Sequence, residues 1–188
     1  MSSGKLVLGL AGMPGSGKSL VVEAGRRSGY GIVAMGDVIR EETEKRGLTP
    51  DSENIGEVML DLRKQEGSGA IAKRCVPRIM TVQCPRVMVD GIRSLDEVEE
   101  FKKHLPKFAL IAVHASPEAR FSRLYSRRRS DDSVAWGVFH ERDVRELGVG
   151  VGGAIAMAEY VIVNDDSIEV GKRRAMEVLE KVEKRWIK

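Results

Sequence analysis

The sequence predicts an α/β fold, a five-stranded parallel sheet with helices on both faces. Three observations carry this. Five short apolar runs recur along the chain, and a segment long enough for a helix separates each from the next. The first and third runs are continuously apolar, as strands covered on both faces are. The composition, 42% apolar and 31% charged over 188 residues, is that of one compact unit able to build a sizeable core. Right-handed crossovers between parallel strands then place helices on both faces.

Residues 5–11 form the first strand, which stops in glycines, and residues 18–28 the helix after it. Residues 32–35 are the second strand. Three polar segments of helical period follow, 37–46, 52–66 and 69–83, with Pro77 expected to kink the last. Residues 86–90 are the third strand. Residues 94–104 are a charged amphipathic helix opened by Ser94 as cap, and 108–113 the fourth strand. Ser116-Pro117 opens the next helix in cap-then-proline order. Residues 160–163 are the fifth strand, and a Lys/Glu-rich helix over 168–187 closes the chain. The glycine-rich stretch Gly148–Gly153 reads as a flexible connection.

Composition narrows the function classes. With 31 Lys plus Arg against 28 Asp plus Glu, a net charge of +3 does not make the whole chain a nucleic-acid or membrane binder. Cys75 and Cys84 form no CxxC pair and sit near no His cluster, which points to small core or groove residues of a reduced cytoplasmic protein. No apolar run approaches the ~20 residues of a membrane span, and the first residues are too short and polar for a signal peptide.

The strongest motif is Gly12-Met13-Pro14-Gly15-Ser16-Gly17-Lys18-Ser19, which fits G-x-x-x-x-G-K-[ST] between a strand and a helix. Glycines let successive backbone N–H groups converge on phosphate oxygens, and the helix N-terminus adds a favourable dipole. Lys18 reaches the β- and γ-phosphates and the Ser19 hydroxyl can ligate Mg²⁺. This is the phosphate loop of a P-loop NTPase. Asp90, at the end of the third strand, is placed to orient the metal. Val163-Asn164-Asp165-Asp166 lacks the lysine of an Asn-Lys-x-Asp guanine reader, which favours ATP. Two further strand ends carry an acidic residue, a glycine and an arginine: Gly36-Asp37 with Arg40, and Asp90-Gly91-Ile92-Arg93. Arg40 and Arg93 could grip an anionic acceptor, because a guanidinium fork matches phosphate oxygens.

Taken in order, these motifs resemble the adenylate-kinase group of nucleoside monophosphate kinases, although that group reads Asp-Gly-Phe-Pro-Arg where this chain is one residue shorter. Residues 158–167 resemble dephospho-CoA kinases instead. The combined pattern, with Glu141–Gly148 before it, is most similar to a group of archaeal kinase-like P-loop proteins. The resemblance implies a single kinase domain with an acceptor-binding insertion over about 37–84 and a short lid over about 128–147. It implies that Arg40 and Arg93 hold the acceptor monophosphate. Residues 120–129 carry five arginines; Arg120, Arg123 and Arg127 fall on one helix side. By resemblance this is the lid entrance, with Arg123 on the adenine and Arg127 on the transferring phosphoryl. Arg129, Asp131 and Asp132 resemble part of a longer lid, with Arg142 and Arg145 on the returning helix.

Three functions stay open on the sequence. The first is Mg-ATP-dependent phosphoryl transfer to a small phosphorylated acceptor, a nucleoside monophosphate, with catalytic weight on Lys18, Asp90, Asp37 and Arg127. The second is dephospho-CoA kinase chemistry on a hydroxyl acceptor, with Asp37 as general base. The third is an ATP-dependent switch or RNA-associated factor of slow ATPase activity, in which the arginines and Phe121, Tyr125 and Trp136 contact RNA. The basic run also has the plain reading of a solvated face. The paired acceptor arginines favour the first, so a small nucleotide is the expected partner, with no membrane, and nucleic acid stays open only through the third reading.

Overall fold

The computed structural model describes residues 4–127 and 135–186. The chain runs β1 (Leu6–Ala11), α1 (Lys18–Arg27), β2 (Gly31–Ala34), α2 (Met35–Lys45), α3 (Ser52–Glu66), α4 (Ala70–Thr81) and β3 (Arg86–Ile92). It continues α5 (Leu95–His104), β4 (Phe108–His114), α6 (Pro117–Arg127), α7 (Trp136–Val149), α8 (Val151–Ala156), β5 (Tyr160–Val163) and α9 (Ile168–Trp186). The strands form one five-stranded sheet in the order β2-β3-β1-β4-β5, and every pairing is parallel. This is the predicted sheet. Among the described residues no helix is long and apolar enough to cross a membrane.

Side chains alternate along each strand, and here both alternations are apolar because helices cover both faces. Leu6, Leu8 and Leu10 of β1 pack with Met88, Ile111 and Val113 under α1 and α9, where Val21, Ala24, Ala175 and Leu179 close the layer. Val7 and Ala11 point the other way, into a core shared with Val87, Val89, Leu110, Phe101 and Ala154. Val58 and Leu62 of α3 and Ile71, Cys75 and Ile79 of α4 join that same core. The expected acceptor-binding insertion is therefore packed onto the sheet.

Two caps match the sequence reading. Ser94 Oγ accepts from the Glu97 N–H at 3.3 Å, and Ser116 Oγ accepts from the Ala119 N–H at 3.3 Å. Three details differ or extend it. β3 does not stop at Asp90: Leu10 pairs with Asp90 and Ala11 with Ile92, so Gly91 is an extra, bulged residue with φ 107°. Gly148–Gly153 is no flexible connection, because α7 runs through Gly148 and stops at Gly150, whose left-handed φ of 114° both ends α7 and starts α8. Pro77 lies inside α4, which continues through it to Thr81. Of the expected lid over about 128–147, residues 128–134, including Arg129, Asp131 and Asp132, lie outside the described residues; most of α7 makes up the rest.

Candidate active site

The strand order places β1 between β3 and β4, and the chain's excursions to either side diverge at its C-terminal end. Ligands of parallel α/β sheets bind at such a divergence. The phosphate loop sits there. Gly12, Gly15 and Gly17 have φ of 154°, 78° and 97°, a backbone that turns the chain tightly from β1 into α1. The loop is packed from behind. A Cβ on Gly17 would lie 2.1 Å from Asn164 Nδ2, and one on Gly12 would lie 2.5 Å from the Val113 carbonyl oxygen. Asn164, buried between β5 and α9, donates from Nδ2 to the Ser16 carbonyl at 2.9 Å. Its own N–H donates to the His114 carbonyl at 2.8 Å, so loop, β4 and β5 are stitched together.

Lys18 folds back over this loop, donating from Nζ to the carbonyls of Gly12 at 2.7 Å and Met13 at 3.3 Å. Burial pushes its ammonium below the usual lysine range, with Asp90 and Glu146 opposing and Arg93 and Arg142 adding to the depression. Asp90 shows the converse: burial pushes its carboxyl up, with Lys18 and Arg93 pulling it down and Asp37 adding to the rise. Asp90 Oδ1 is closed off from solvent and has no hydrogen-bond partner. An enclosed, unsatisfied carboxylate oxygen beside a hydroxyl-bearing loop suits a hydrated divalent cation, and Ser19, in the first turn of α1 and exposed, is the second oxygen donor named by the sequence.

Asp37 lies in the first turn of α2 and pairs with Arg40, Nη1 to Oδ1 at 2.6 Å, with both side chains more than half exposed. Arg93 leaves the bulged end of β3. Its backbone N–H donates to Glu97 Oε2 at 2.8 Å, while Arg63 of α3 donates to Glu97 Oε1 at 2.8 Å. Its guanidinium lies 3.5 Å from Glu146 of α7. The structure thus brings Lys18, Asp90, Arg93 and Asp37 into one field, and gives Arg40 and Arg93 each a carboxylate partner.

The arginine run divides. Arg120 is expected beside Arg123 and Arg127 on one cationic side; instead it is 4% exposed. It donates to both oxygens of Asp143 at 2.8 and 2.5 Å and to the Pro14 carbonyl at 3.2 Å, and it lies 4.9 Å over the Phe139 ring. The reason is α7, whose Asp143 and Phe139 close over α6 and remove Arg120 from the surface. Arg123 donates to the Asn164 carbonyl at 2.7 Å, beside the junction behind the phosphate loop, and Arg127 ends α6 at the surface. Phe121 packs edge-on against Trp136 and Phe139, with centroids 5.1 and 5.5 Å away. These rings join α6 to α7.

Sequence reasoning missed Asn164, Glu97, Asp143 and Glu146 as site residues. For the last two a signal existed: they stand three apart in a helical segment, hence on one face. For Asn164 and Glu97 the partners are distant in sequence and no local pattern marks them.

Comparison with known proteins bears on the family and the fold. A family model described as an AAA domain matches residues 11–136. The chain is 43% identical over 181 residues to a UPF0200 protein of Thermococcus gammatolerans, covering 94% of this chain and 95% of that one. It is 49% identical over 166 residues to a UPF0200 protein of Methanocaldococcus jannaschii, covering 87% and 84%. Among solved structures it is similar in fold to shikimate kinase from Bacteroides thetaiotaomicron, with TM-score 0.65, 16% identity and coverage of 93% and 98%. A gluconokinase from Sinorhizobium meliloti gives TM-score 0.58 at 14% identity, covering 97% and 95%. The chain therefore belongs to the archaeal UPF0200 proteins and to the AAA-domain family, with the α/β P-loop NTPase fold in its kinase-like form.

Proposed function

We propose that this protein is a cytoplasmic Mg-ATP-dependent kinase that transfers a phosphoryl group to a small phosphorylated acceptor, a nucleoside monophosphate. The observation that carries the reading is the cluster at the end of β1 and β3. There Lys18 and the unsatisfied Asp90 oxygen face one field with Arg93, which leaves the neighbouring strand end. Proteins of the same fold named as shikimate kinase and gluconokinase support small-molecule phosphoryl transfer.

In this reading the N–H groups of residues 12–19 cradle the ATP phosphates, and Lys18 exchanges its carbonyl contacts for the β- and γ-oxygens. Ser19 and Asp90 would hold Mg²⁺, which supplies charge neutralisation across those oxygens. Arg123, fixed to the Asn164 carbonyl, borders the adenine. Arg40 and Arg93 hold the acceptor phosphate. An acceptor oxygen attacks the γ-phosphorus, the bond from that phosphorus to the bridging oxygen breaks, and ADP leaves while Arg127 offsets charge on the transferring group. The acceptor is already ionised and needs no general base, so catalysis is positioning and charge stabilisation.

One observation favours a second reading. Asp37 lies close enough to raise the Asp90 carboxyl, which supports Asp37 as a base for a hydroxyl acceptor. The two readings separate in one experiment: Mg-ATP with a panel of nucleoside monophosphates and dephospho-CoA, products resolved by chromatography. A diphosphate from one or a few monophosphates is the expected result. CoA as sole product would move the function to hydroxyl transfer through Asp37, and no product with retained ATP binding would favour a nucleotide-dependent switch.

A further inference from the structure

Two carboxylates one turn apart on α7 have partners on different elements, that of Asp143 on α6 and that of Glu146 just beyond β3. Asp143 holds Arg120, which in turn donates to the Pro14 carbonyl of the phosphate loop. Glu146, with its side chain 12% exposed, faces the Arg93 guanidinium at 3.5 Å and acts on Lys18 as well. Arg142 presents positive charge to the same field.

The surroundings leave α7 little freedom. The buried Asp143–Arg120 fork anchors the middle of α7 to α6 and, through the Pro14 carbonyl, to the phosphate loop. Its end is anchored too, since a Cβ on Gly150 would meet Ser94 at 3.4 Å and the Arg93 carbonyl oxygen at 3.5 Å. The Arg93 backbone is pinned by Glu97. The Arg93 guanidinium is not held by that pin: its side chain is 40% exposed, and besides Glu146 it touches Met59 Sδ at 4.0 Å. A separation of 3.5 Å is well beyond the roughly 2.7–2.9 Å of a strong charge-assisted bond, so this pair is readily exchanged for a better anion.

We propose that Glu146 is a specificity-determining residue, a built-in competitor that holds Arg93 until an acceptor phosphate displaces it. A phosphate offers more charge than one carboxylate and takes two parallel N–H bonds from the fork. A neutral hydroxyl acceptor offers nothing in exchange, so Glu146 screens acceptors by charge. Because Asp143 anchors the helix, the backbone of Glu146 stays in place when Arg93 leaves. The inference rests on the reading of Arg93 as the acceptor-binding cation.

The test is calorimetric titration of inorganic phosphate into the protein saturated with Mg-ADP, which fills the donor site. Wild type, Glu146→Gln, Arg93→Ala and the double variant are compared, with Arg93→Lys replacing Arg93→Ala should the latter fail to fold. The expected result is that phosphate binding requires Arg93 and that Glu146→Gln binds about tenfold more tightly, within the ordinary range of coupling between two groups. The gain disappears in the double variant. Structural damage lowers affinity, so a gain is not produced by a merely structural role. Loss of binding in Arg93→Ala with unchanged or weaker binding in Glu146→Gln overturns the role of Glu146 and leaves the acceptor clamp standing. Phosphate binding that is indifferent to Arg93 overturns the clamp itself.

Discussion

On the donor wall, glycines with left-handed backbone are backed by the buried Asn164 side chain, and Arg120 lies beneath the loop in a bidentate pair with Asp143. On the acceptor wall, Asp37 and Arg40 meet across exposed solvent, and Arg93 holds Glu146 only loosely. The donor wall has its glycine turn and its Arg120–Asp143 pair already in place, and it leaves Ser16 Oγ, Asp90 Oδ1 and Arg123 Nη1 buried without partners. The proposed acceptor wall carries its charges in two ion pairs, one exposed and one 3.5 Å long. If the two walls take nucleotide and acceptor as proposed, Lys18 gives up its carbonyl contacts on the first, whereas acceptor binding is an exchange of ion-pair partners and selectivity belongs on that side.

The contrast is broken most severely at Lys18. Lys18→Ala should lower phosphoryl transfer at least about 10³-fold, the scale of a cation acting on a transferring phosphoryl, and should abolish nucleotide binding in the same calorimeter. Full transfer in that variant would remove the phosphate loop from the account.

Next in size is the donor-wall ion pair. Asp143→Ala leaves the Arg120 guanidinium buried without its partner, and urea unfolding should show a loss of about 3–5 kcal/mol. The Asp37–Arg40 pair sharpens the comparison from the other side. Both side chains are more than half exposed, so Asp37→Asn should change stability by less than about 1 kcal/mol. Equal losses at the two sites would erase the difference between the walls.

Asp90 gives a smaller effect with a definite sign. Its carboxyl binds a proton more tightly folded than unfolded, because burial outweighs the pull of Lys18 and Arg93. Its contribution is therefore most favourable below the unfolded value of about 3.9 and is lost as pH rises through the higher folded value. Asp90→Asn should raise the melting temperature at neutral pH by a few degrees, at about 2–4 °C per kcal/mol for a chain of this size, and flatten that part of the pH profile. A lower melting temperature at pH 7 would mean that the fold depends on the charge.

Legibility in the sequence follows the same division. The sheet was readable because parallel strands covered on both faces are short apolar runs, and β1 is buried throughout. The phosphate loop was readable because its chemistry is compressed into consecutive residues, 12–19. The Gly91 bulge was not, since a glycine after a strand-end Asp looks the same whether the strand stops or steps. Arg120 was misplaced because its burial depends on Asp143, 23 residues away, and helical spacing within α6 knows nothing of α7. Glu97 and Asn164 were missed for the same reason. Each is an ordinary polar residue until distant elements fold against it.

The central claim is that the two walls act separately: the donor wall binds nucleotide by itself, and the acceptor arginines serve transfer alone. The direct measurement is Mg-ADP affinity beside acceptor-dependent turnover in Arg40→Ala and Arg93→Ala. The account predicts ADP affinity within about twofold of wild type, a change under about 0.5 kcal/mol, together with loss of acceptor-stimulated transfer. ATP turnover that persists unchanged in both variants and responds to no small acceptor would contradict it and place the protein among nucleotide-dependent switches.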